Sequence, residues 1–79
     1  MKLPRDLSGL ELAQKLKKFG YEITRQTGSH IRLTTQEKGE HHITIPAHNP
    51  LKVGTLSAIL LEVAQHFNIS KNEVIEEIS

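Results

Sequence analysis

The chain has 79 residues, no cysteine and a formal net charge of +1. That length suits one domain near the lower size limit for a self-sufficient core, and the absence of Cys excludes disulfide and thiolate–metal staples. The start, Met1-Lys2-Leu3-Pro4-Arg5-Asp6, is polar and no apolar run is of membrane-spanning length, so secretion and membrane insertion are not expected, while a reducing cytoplasm is compatible.

In chain order, a first helix is signalled at Ser8, with Glu11 completing a capping box, and Leu12, Ala13, Leu16 and Phe19 recur at helical spacing until Gly20 offers a left-handed stop. Three strands follow. Residues 21–26 alternate imperfectly around Ile23. Residues 30–35 alternate cleanly, with Ile31 and Leu33 on one face and His30, Arg32 and Thr34 on the other. Residues 42–45 bury Ile43 and Ile45, and Pro46 is expected to end the ladder by removing a donor. Of the aromatic residues, Tyr21 is the one expected at the surface, since Phe19 and Phe67 fall on core positions of helices.

Gly54-Thr55 then opens a second helix, whose stripe of Leu56, Ile59, Leu60, Val63, Ala64 and Phe67 has the helical period and stops at Asn68. Ser70 and Glu73 form another capping box, starting a short helix with Val74 and Ile78 inward. The expected fold is α+β in the order α-β-β-β-α, a three-stranded antiparallel sheet with helices on one face. Residues 1–79 read as a single domain, with 70–79 a C-terminal helical extension.

Charge is uneven: residues 1–54 hold nine Lys/Arg against five acids, and residues 55–79 one Lys against four Glu. A basic front suits a polyanion, and ordinary surface scatter accounts for it equally well. His30 follows the Gly28-Ser29 turn and shares its strand face with Arg32, so it is either a solvated strand-edge imidazole or a proton-transfer group beside a phosphate-binding guanidinium. Strand parity also sets His42 and Thr44 on that face across the hairpin. His41, His42 and His48 suggest a metal by residue type, but adjacent His41 and His42 point to opposite faces, so no metal site is expected. Gly54-Thr55 suits an anion at a helix start, although capping alone accounts for it.

The order and spacing of these motifs resemble the HicA-type (YcfA-like) toxins of bacterial toxin–antitoxin pairs. The resemblance rests on Lys18-Phe19-Gly20-Tyr21, Arg25, Gly28-Ser29-His30, Ile45-Pro46-Ala47-His48 and Gly54-Thr55-Leu56 leading into Ile59-Leu60, over about residues 8–69. It implies a dsRBD-like fold, similar to a double-stranded-RNA-binding domain. It also implies an endoribonuclease (mRNA interferase) that cleaves mRNA in the cytoplasm and is neutralised by a HicB-type antitoxin protein. His30 takes the family's catalytic place. The expected reaction needs no cofactor, with Lys17, Lys18, Arg25 and Arg32 holding phosphates and Gly28 and Ser29 setting the turn. The competing expectation is a non-catalytic RNA-binding or protein-interaction module of the same dsRBD-like fold.

Overall fold

Ser8 and Glu11 close their reciprocal cap in the computed structural model, which describes residues 3–79; the polar start read at Met1 and Lys2 lies outside them. Glu11 N–H donates to Ser8 Oγ at 3.0 Å, and Ser8 N–H donates to Glu11 Oε1 at 2.9 Å. The helix that follows has two parts, α1 (Gly9–Lys15) and a 3-10 turn over Leu16–Phe19, closed by Gly20 at φ 81°. The sheet is β1 (Glu22–Thr27), β2 (His30–Thr35) and β3 (His41–Pro46), antiparallel in the order β1-β2-β3. Helices α2 (Val53–Phe67) and α3 (Lys71–Ile78) complete the α-β-β-β-α order, with α3 appended.

Helices α1 and α2 lie against one face of the sheet, and α3 packs on α2 and the 3-10 turn. Ile31, Leu33 and Ile45 project from that face and are fully buried, as are Leu12 and Leu16 of the first helix, Leu60 and Val63 of α2, and Val74 and Ile78 of α3. Asn68 ends α2 in a left-handed conformation (φ 56°), and Ser70 and Glu73 cap α3 reciprocally. Gly9 fixes how α1 meets the sheet. Its N–H donates to the His48 carbonyl at 2.9 Å, and a Cβ there would stand 2.0 Å from the Pro46 oxygen.

Three expectations need correction. Tyr21 is fully buried rather than exposed, because the left-handed Gly20 turns the chain inward just before β1 and directs the phenol ring onto Phe67 and His41. Gly54-Thr55 does not open α2. The helix begins at Val53 after Lys52, and no side chain caps it, because Thr55 already lies inside the first turn. Pro46 is the last residue of β3, as expected, but it does not close the ladder by removing a donor: it is paired with His30, and the next N–H, of Ala47, donates to the Ser29 carbonyl at 2.7 Å. Since Ala47 points its N–H at β2, the nitrogen of Pro46 faces the open edge, where no donor is needed.

Candidate functional site

The face of the sheet away from the helices is uncovered, and the β1–β2 hairpin sets its chemistry. Thr27 pairs with His30 across the two turn residues Gly28 and Ser29. Gly28 has φ 54° and Ser29 no positive φ, the pattern of a II′ turn with Gly first, whose twist suits a two-residue hairpin. His30 therefore starts β2 on the open face, exposed, with Thr27 on one side and Pro46 on the other.

The imperfect alternation of β1 has a structural cause. A β-bulge lies between Ile23, which pairs with Leu33, and Arg25, which pairs with Arg32. The extra residue, Thr24, donates its hydroxyl to the Arg32 carbonyl at 3.4 Å and lies 3.0 Å from Thr34 Oγ1. Simple alternation from Ile23 would send Arg25 to the core face. The bulge returns it to the open face, directly opposite Arg32. Like charges so paired repel, and the arrangement is one that a bound anion relieves.

The open face thus carries three cross-strand rows. The first is Thr27, His30 and Pro46; the second is Arg25, Arg32 and Thr44; the third is Glu22, Thr34 and His42. Of the residues singled out in the sequence, Arg25, Gly28, Ser29, His30 and Arg32 come together at one end of this face. Lys17 and Lys18 do not join them. They belong to the 3-10 turn, whose Phe19 carbonyl accepts from Thr35 Oγ1 at 3.0 Å at the far end of β2, about 17 Å of strand from His30. Lys18 is also engaged elsewhere, its Nζ donating to the Glu77 carbonyl of α3 at 2.8 Å.

His41 and His42 project to opposite faces, as strand parity requires. His48 is exposed in the β3–α2 connection, where its carbonyl holds Gly9. Among the described residues no group of three or more His, Cys, Asp or Glu is placed to hold a metal ion, and no helix is long and apolar enough to cross a membrane.

Two side-chain networks went unread in the sequence. On the open face, His42 lies between Glu40 (Nε2 to Oε2, 2.7 Å) and Thr34 (Nδ1 to Oγ1, 2.8 Å). Its only sequence signal is a Glu two residues before a His on an alternating strand. On the helix side, His41 meets the Tyr21 hydroxyl at 2.7 Å and stacks on His66 with ring centres 4.4 Å apart. That cluster joins residues far apart in the chain, which no local pattern announces.

The family model described as "HicA toxin of bacterial toxin-antitoxin" matches residues 9–65, from the start of α1 to near the end of α2. Neither the search of curated proteins nor that of solved structures yields a match. With most of its length matched, and with the helix–sheet order that the motifs imply, the chain belongs to the HicA toxin family of bacterial toxin–antitoxin systems.

Proposed function

We propose that this toxin is an endoribonuclease that cleaves mRNA by acid/base chemistry at His30. The reaction requires a proton taken from a ribose 2′-OH, a proton given to the leaving oxygen, and neutralisation of the phosphoryl oxygens. Imidazole and guanidinium supply these without a metal ion. Arg25 and Arg32 hold the phosphate, Gly28 and Ser29 bring backbone close to it, and His30 moves a proton. Lys17 and Lys18 reach only RNA beyond the reacting bond.

The observation that carries this reading is the bulge in β1, which aligns Arg25 with Arg32 on the face that bears His30. Contacts of this kind go to the RNA backbone and read little sequence. The cytoplasm, where mRNA is translated, is the place of action, and a HicB-type antitoxin is the neutralising partner.

The test is cleavage of RNA by the purified protein in EDTA. Wild type is expected to cut, and His30→Ala to bind RNA but leave it intact while keeping its fold. Undiminished cutting by His30→Ala removes His30 from the chemistry. RNA binding by wild type with no products at any pH establishes the non-catalytic RNA-binding alternative instead.

A further inference from the structure

A carboxylate has no proton to donate, so His42 donates Nε2–H to Glu40, 2.7 Å away, and Nδ1 lies 2.8 Å from the Thr34 hydroxyl. This is the order of a general base: an orienting carboxylate, an imidazole, and a hydroxyl at its second nitrogen. Both side chains are accessible, His42 at 39% and Glu40 at 59% exposure.

We propose that His42 is the general base of RNA cleavage and His30 its general acid, flanking a phosphodiester held at the Arg25–Arg32 row. The inference rests on the ribonuclease reading and assigns the proton-transfer partner that His30 lacks. Its basis is the row order on the open face, with His30 in the first row, the arginine pair in the second and His42 in the third. His30 and the Thr34–His42 pair are separated by about 13 Å along β2, roughly 7 Å on either side of the arginines. Side chains on one face of a strand lean along its direction, which lets the His30 ring incline toward the middle row, while Glu40 and Thr34 hold the His42 ring in the third.

Nδ1 of His42 takes the 2′-OH proton in the place now held by the Thr34 hydroxyl. The 2′-oxygen forms a bond to phosphorus, the bond from phosphorus to the 5′-oxygen breaks, and that oxygen takes a proton from the His30 imidazolium. The products are a 2′,3′-cyclic phosphate and a 5′-hydroxyl. Each charged group around His42 has a definite place. Glu40 precedes β3, Glu22 of β1 flanks Thr34 on the far side, Arg25 and Arg32 lie one row away, and His41 adjoins it on the opposite face.

The experiment compares an RNA oligonucleotide that the full-length protein cuts with the same oligonucleotide carrying a bridging 5′-sulfur at the cut, a leaving group that needs no acid. His42→Ala and His42→Gln are expected to lose roughly 100-fold or more in kcat on both substrates, together with the acid limb of the pH profile. His30→Ala is expected to fail on the oxygen substrate and recover on the sulfur one. Glu40→Gln should lose less, with Glu40→Asp restoring part of it. Circular dichroism establishes that each variant is folded. A His42→Ala protein with wild-type rate and an intact acid limb overturns the assignment, as does recovery of His42→Ala on the sulfur substrate. In both cases the ribonuclease reading stands. A wild type that cuts neither substrate overturns that reading and this one with it.

Discussion

The Tyr21 hydroxyl lies 2.7 Å from Nδ1 of His41, sealing the seam between the start of β3 and the helices. Burial, with a smaller push from the Glu62 carboxylate, raises the Tyr21 phenol to about 12. The phenol therefore keeps its proton, and donating it to Nδ1 leaves the His41 N–H on Nε2, 3.5 Å from Glu62 Oε2. His66 stacks on His41 at 12° between ring planes and donates Nε2–H to the Glu37 carbonyl at 2.9 Å. A second proton on His41 would displace the Tyr21 donor.

This arrangement makes stability fall on mild acidification. Burial depresses the His41 pKa first, then the neighbouring His66 and, less, His42, with Glu62 opposing them. A His with a folded pKa below its unfolded value leaves the unfolded chain binding more protons between the two. The His41 contribution is thus complete above about pH 6.5 and lost as pH falls through the folded value. Thermal melts from pH 8 to 5 should show the midpoint dropping below pH 6.5. His66→Gln, which removes one of the stacked imidazoles, should flatten that drop. The cap carboxylate Glu11 also has a lowered pKa, but its unperturbed value of 4.5 puts its loss at lower pH. Equal slopes for wild type and His66→Gln above pH 5 would show that the stack is not the sensor.

The Arg25–Arg32 pair should trade stability for binding. Directly opposed like charges on an exposed sheet face cost at most about 0.5 kcal/mol after solvent screening. Arg25→Gln is accordingly expected to leave the urea midpoint unchanged or slightly raised. The same change should weaken RNA binding and reduce the slope of log affinity against log salt by about 1, the signature of one lost phosphate contact. An Arg25→Gln protein with unaltered salt slope means that the bulge serves folding rather than RNA.

Much of this fold is local and so was legible. The Ser8/Glu11 and Ser70/Glu73 caps, the clean alternation of β2 and the helical stripe of α2 each follow from neighbours within a few residues. The same parity placed His30, Arg32, Thr34, His42 and Thr44 on one face. Tyr21 was misjudged because its burial depends on partners in β3 and α2 that sequence spacing does not reveal. Arg25 had the right residue type, but its place beside Arg32 depends on a single extra residue in β1. In sequence that appears only as broken alternation, and register is a property of a pair of strands. The Lys17 and Lys18 pair illustrates the converse. Basic residues close in sequence to Arg25 lie at the other end of the sheet, because the chain reverses between them.

Helix α3 lies beyond the residues that match the family, yet it is expected to be indispensable to the fold. Val74 and Ile78 are fully buried and Ile75 is 2% exposed, all within the same core as the sheet and α2. Lys18 ties the end of α3 to the 3-10 turn through the Glu77 carbonyl. Removing three buried aliphatic side chains forfeits on the order of 5 kcal/mol, a large share of what a small domain has. A chain ending at Ile69 should therefore be largely unfolded at room temperature, and Ile78→Ala should lower stability by about 2–5 kcal/mol in urea titrations. The open face lies on the far side of the sheet, so folded Ile78→Ala protein should bind RNA as wild type does at saturating stability, in the cold and without denaturant. A truncated chain with an unchanged urea midpoint would place α3 outside the cooperative core. Loss of RNA binding by Ile78→Ala while still folded would show instead that α3 shapes the open face through the sheet.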